Sequence, residues 1–205
     1  MKIHVLCFVA LAFAAPASAQ MVPLTVQGPY LQPASGMTYP ESAGEFRRVS
    51  VMQYKPDGSD ISAGYLRAQP GAEIVATAYS FPTPPPATDT GLSADQAKAR
   101  MCGAVAGSVV KSIQTSYPTA ALTRTNLTTL DQMGGTQNGY HAVLNMTVPK
   151  FMGRDQEAVK SEAFVFCNAG GKWTMEYRFT YPATTPDSGP AIAKFMDDLK
   201  WTFTQ

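Results

Sequence analysis

Residues 173–181 alternate without a break. Trp173, Met175, Tyr177, Phe179 and Tyr181 are large and apolar or aromatic, while Lys172, Thr174, Glu176, Arg178 and Thr180 fall between them. Successive side chains of a strand point to opposite faces, so this period of two predicts a β-strand with one wholly apolar face. Such a strand requires neighbouring strands beside it and a second layer on its apolar side. The chain therefore has to build a sheet and cover it.

The remaining segments supply both. Val49 to Tyr54, Ile61 to Ala68 and Ala72 to Phe81 read as a three-strand meander, broken by turns at Pro56-Asp57-Gly58 and Pro70-Gly71. The proline series Pro82-Thr83-Pro84-Pro85-Pro86 stops it, because proline cannot donate to a ladder. Ser93-Ala94-Asp95-Gln96 matches a capping box and opens a helix. Met101, Cys102, Val105, Val109 and Ile113 form its apolar stripe. Strands resume with the Thr-rich run Leu122 to Leu130. Asn138-Gly139 predicts a hairpin. From Tyr140 to Val148 the even positions are apolar, and His141, Asn145 and Thr147 occupy the other face. Pro149 to Glu157 reads as a loop. Ala163 to Cys167 is apolar on both faces, which suits a central strand under a helix. Gly134-Gly135 and Gly170-Gly171 read as turns, since neither leads into a helix as a phosphate loop must. Ser188-Gly189-Pro190 starts a last helix with the stripe Ile192, Phe195, Met196 and Leu199. The expected architecture is α+β: a largely antiparallel sheet of about six to seven strands with two helices packed on it.

That order of a meander, a helix, a second meander and a C-terminal helix resembles the PsbP-like superfamily, including its DcrB-like bacterial envelope proteins. Ser35-Gly36-Met37, Tyr39-Pro40 and Gly44-Glu45-Phe46-Arg47-Arg48 resemble the entry segment of periplasmic proteins from proteobacteria. Glu176 to Pro182 resembles their final strand. The resemblance spans most of residues 35–203. It implies a PsbP-like fold and a role in binding or assembling other proteins, and it carries over no catalytic residue.

The N-terminus reads as an export signal. Lys2 precedes the apolar run Val5 to Ala15, which is too short to span a bilayer, and Ala17-Ser18-Ala19 is a small-x-small exit. Residues 1–19 are thus expected to be a signal peptide cleaved between Ala19 and Gln20. Residues 20–45, rich in Pro, Gly and Ser, read as an extended lead-in, and residues 46–205 as one α+β domain. Loss of Lys2 leaves 15 basic against 15 acidic residues, from 16 and 15 in the whole chain. A neutral chain lacks the basic footprint of a nucleic-acid partner. No later run is long enough for a transmembrane segment. The expected location is periplasmic or secreted. The two cysteines that remain, Cys102 and Cys167, read as a disulfide in an exported protein.

Few residues suggest chemistry. His141 is the one histidine outside the leader, and any Ser-His-Asp triad or zinc site would need it. Its alternation places it on an exposed polar face, and no G-x-S-x-G or H-E-x-x-H motif accompanies it. Asp57-Gly58-Ser59-Asp60 has too few carboxylates for a calcium loop and reads as a turn. Phe151, Met152 and Arg154 form an aromatic–Met–Arg cluster in a polar loop, the composition partner surfaces use. They are the candidate contact site. No cofactor or metal is expected. The sequence favours a non-enzymatic periplasmic protein that binds or helps assemble another envelope component. A small-molecule or lipid carrier with a pocket between sheet and helix is the alternative, and a hydrolase around His141 ranks below it.

Overall fold

A computed structural model of the protein describes residues 21–87 and 91–204. The expected signal peptide and its cleavage site lie outside the described residues. The strands are β1 (Val22–Pro23), β2 (Tyr30–Leu31), β3 (Thr38–Tyr39), β4 (Ser42–Ala43), β5 (Phe46–Gln53), β6 (Ile61–Arg67), β7 (Ile74–Pro82), β8 (Ala121–Gln132), β9 (Gly135–Phe151), β10 (Arg154–Ala169) and β11 (Trp173–Pro182). Helix α1 (Ala94–Ser116) joins the two meanders, and α2 (Gly189–Asp198) closes the chain.

The sheet is larger than the six to seven strands expected. Nine strands belong to it, in the order β1-β5-β6-β7-β11-β10-β9-β8, with β4 also on β5. Every pairing is antiparallel. The added strands β1 and β4 come from the segment read as a lead-in. That segment packs tightly: Met37, Tyr39, Gln32 and Ser35 are fully buried. Its burial has no periodic signature, because its partners lie on other strands and at the far end of the chain. The Thr38 backbone N–H donates to Thr202 Oγ1 at 2.8 Å, and the Thr204 backbone N–H donates to the Ser35 carbonyl at 2.9 Å.

Both faces of the sheet are covered in the middle. On β10, Ala163, Val165 and Cys167 pack with α1, whereas Phe164 and Phe166 join the opposite core under α2. The α2 face is aromatic. Phe195 meets Phe46, Tyr65, Phe179 and Tyr177 edge-on, with centroids 4.9–6.1 Å apart. Trp201 adds its ring to Phe166 and donates Nε1–H to the Tyr177 hydroxyl at 2.7 Å. Burial stabilises each such side chain by about 1.5–3 kcal/mol. On the α1 side, Ser93 and Gln96 form the expected capping box.

Two turn readings fail. Asn138-Gly139 is no hairpin; it lies inside β9. A Cβ on Gly139 would stand 2.5 Å from both the Phe166 ring and the Val165 carbonyl oxygen. The glycine is there to let the aromatic core approach the backbone. Pro149 to Glu157 is no open loop either. β9 runs on to Phe151, β10 starts at Arg154, and Met152 (φ 47°) and Gly153 (φ 86°) make a two-residue turn. Positive φ at both positions matches the right-handed twist of the flanking strands.

Cys102 of α1 and Cys167 of β10 stand at disulfide distance, with Cα atoms 5.7 Å apart at a sequence separation of 65. Such a pair suits an oxidising compartment. Among the described residues no helix is long and apolar enough to cross a membrane. Replacing both cysteines with serine should lower the unfolding free energy in guanidinium by about 4 kcal/mol while leaving the native circular dichroism intact. An unchanged midpoint would show that the two sulfurs are not bonded in the folded protein.

Candidate functional site

The two edges of the sheet are treated differently. The β5 edge is dressed by the N-terminal segment: β1 pairs at Met52 and Gln53, β4 pairs at Phe46 and Arg47, and Leu24 donates to the Val51 carbonyl at 2.9 Å. Pro23 sits on this rim, where its missing N–H costs nothing. The β8 edge is bare. β8 pairs with β9 alone, and no other described strand lies beside it. Its twelve residues carry no lysine and no proline, the usual guards of an open edge. Every residue from Ala121 to Leu127 is exposed. Leu127 is 74% exposed, the most of any large apolar side chain described. The Thr-rich composition of this run had marked it as a strand, but nothing local to it could say that it would become an edge.

The candidate contact cluster separates. Phe151 is buried at 7% exposure, within the core under α1. Arg154 lies over its ring at 5.6 Å and reaches Glu73 at 3.3 Å and Glu157 at 3.4 Å. Only Met152, at the turn, is exposed. The cluster is therefore the folded end of a hairpin, held by an aromatic anchor and ion pairs. The expectation of an exposed Phe151–Met152–Arg154 surface is corrected accordingly.

His141 is likewise not on an exposed face. The odd positions of β9 face the α2 side of the sheet, which is covered, and His141 is 8% exposed. Its ring stacks on Phe164 with centroids 4.1 Å apart, and Nε2 meets Glu162 Oε2 at 2.6 Å. The Tyr181 hydroxyl donates to the other Glu162 oxygen. Burial pushes the Glu162 carboxyl up, but the hydrogen bonds from His141 and Tyr181 outweigh it and hold the group below its ordinary value. Burial and the neighbouring carboxylate push the Tyr181 hydroxyl up. Glu162 and Tyr181 were missed because three separate strands bring these groups together, which no spacing in the sequence records. Among the described residues no group of three or more His, Cys, Asp or Glu side chains is placed to hold a metal.

A second buried charge lies on the α1 side. Glu176 is 3% exposed and pairs with Arg178, two residues along β11 on the same face. Burial pushes the Glu176 carboxyl up, with the guanidinium working against it. Arg178 also lies over the Tyr79 ring at 5.0 Å.

No protein-family model, curated protein or solved structure matches the chain.

Two outcomes follow from these placements. Phe151→Ser should cost about 3 kcal/mol in denaturant unfolding, whereas Met152→Ser should stay within about 0.5 kcal/mol. Equal small effects would put Phe151 back on the surface. Glu162 is ionised more readily in the folded protein than in the unfolded chain. Its contribution to stability is thus present above the ordinary carboxylate value of about 4 and is lost as pH falls through the lower folded value. Glu162→Gln should flatten part of the acid-side decline in melting temperature measured below about pH 5. An identical pH profile would show that the triad carries no such linkage.

Proposed function

We propose that this is a non-enzymatic, exported envelope protein that takes an extended segment of another envelope protein onto β8 by strand addition. The observation that carries the reading is the contrast between the two edges. One is closed by β1, β4 and the backbone of Leu24, and the other is twelve residues long and bare. An unpaired row of N–H and C=O groups is a template for another strand. Exposed Leu127, with Leu122 five residues before it, offers side-chain grip beside the backbone bonds. A periplasmic or secreted location after cleavage between Ala19 and Gln20 fits the export signal and the paired cysteines. The resemblance to the PsbP-like superfamily, whose members mostly bind or assemble other proteins, supports the same reading.

A photocrosslinking residue placed at Thr125, in cells that export the protein, tests it. The expected result is a discrete crosslinked species of higher mass, lost when Leu127→Lys and Thr123→Pro are introduced together. The same residue at Thr38, in the N-terminal segment, should give none. Absence of any Thr125 adduct, or an adduct that survives the edge substitutions, would overturn strand addition at β8.

A further inference from the structure

α1 is one helix on a broad sheet, and it covers only part of it. Its packing partners are β9 and β10. Beside its C-terminal end, over β7 and β11, an open cleft of 490 Å³ remains. That volume lies within the range of small-molecule sites. Its walls are mixed, and Val75, Ile113, Met146, Val148 and Phe151 supply the apolar part. Thr77, Ser161, Thr180 and Tyr117 add hydroxyl groups.

The charges in this cleft are one-sided. Arg178 and Lys150 line it, and no carboxylate does. Glu176 lies behind Arg178 and takes its Nε–H. Among the described residues no protein acceptor engages the two Nη groups, so donors remain for a ligand. The carboxylate fixes the guanidinium on the cleft floor, and the Tyr79 ring beneath it holds its plane. Lys150 is 69% exposed and lies 4.0 Å from Asp155, a separation that leaves its ammonium free to turn inward. The C-terminal end of α1 brings a partial negative charge to the rim, which the two full cations exceed.

We propose that this cleft binds a small organic anion: a carboxylate or sulfonate held by Arg178, with an aromatic or short aliphatic body against Val75, Val148 and Phe151. The proposal goes beyond strand addition at β8 and does not depend on it, since the cleft and the edge share no residue. A guanidinium offering a fork of donors beside an apolar wall selects an acid over an alcohol or amine of the same body.

The probe pair is 8-anilinonaphthalene-1-sulfonate and the uncharged N-phenyl-1-naphthylamine, titrated by fluorescence into the exported, oxidised chain. The sulfonate should bind saturably at one per chain and be displaced by octanoate. The paired substitution Glu176→Gln with Arg178→Gln, which leaves no buried lone charge, should weaken the sulfonate about tenfold and the uncharged probe less than about twofold. Lys150→Gln should weaken the sulfonate by about two- to threefold. Thr77→Trp, which fills the floor, should abolish both. It also serves as the test of site should the paired variant fail to fold. Absence of saturable sulfonate binding would overturn the proposal. So would binding indifferent to Thr77→Trp, or equal losses of the charged and uncharged probes in the paired and Lys150 variants.

Discussion

The fold turns on one strand being buried on both sides. β10 sends Ala163, Val165 and Cys167 to one core and Phe164 and Phe166 to the other. Cover must therefore come from two directions. A helix is about 10 Å across and strands lie about 4.8 Å apart, so one helix shields roughly two strands. α1 spends its cover on β9 and β10. α2 has ten residues and cannot close the opposite face alone. The aromatic core is completed from the two ends of the chain: Met37, Tyr39 and Ala43 from the N-terminal segment, and Trp201 and Phe203 from the tail. Gln132 locks this closure by donating to the Met196 carbonyl and accepting from the Trp201 N–H, each at 3.0 Å.

What was legible in the sequence follows the range of the interaction. β11 could be read because alternation is local, and α1 because a capping box and an apolar stripe are local. The cysteine pair was found by counting. The N-terminal segment was misread because Tyr39 and Met37 are buried in a core assembled from other strands, α2 and the C-terminal tail, which leaves no local pattern. Asn138-Gly139 was misread for a related reason. Glycine there serves a contact with Phe166 across the sheet, and a turn uses the same residue for its backbone freedom. His141 was assigned to solvent on the premise that β9 has one wet face, but in its middle β9 has none. The residues at issue in the site share this origin. Glu162 and Tyr181 reach His141 from β10 and β11, and Arg178 meets the α1 cleft only once β11 docks beside β7.

The buried carboxylates and the buried glutamine Gln32 each have partners, whereas the Tyr39 hydroxyl and the Trp173 Nε1–H have none among the described residues. Glu162 has His141 and Tyr181, Glu176 has Arg178, and Gln32 bonds the Gly58 carbonyl while accepting from Ser35 and Ser80. Removing one member of such a set strands the other in low dielectric, whereas replacing both with apolar groups can be nearly neutral. Such pairs also constrain register. Glu162 satisfies two partners on two different strands, so a slip of β9 or β11 by one residue would leave it unpaired.

The bare edge is then a consequence of topology. After α1 the chain enters the sheet at its far rim with β8 and works inward through β9 and β10 to β11. α2 and the tail follow on the opposite face, and no other described segment dresses the rim. The N-terminal segment could dress only the edge nearest to it, and it does so at β5. Natural sheets in this position usually guard themselves with lysine, proline or a short strand. β8 instead keeps twelve residues rich in threonine, a residue suited to pairing on a pleated surface. Backbone hydrogen bonds contribute about 0.5–1.5 kcal/mol each after water is exchanged, so half a dozen of them give a modest and reversible grip. Selectivity must then come from the side chains on the rim. Leu127 and Leu122 are the apolar ones there, and Arg124 and Asp131 set the charge pattern a partner strand would have to complement.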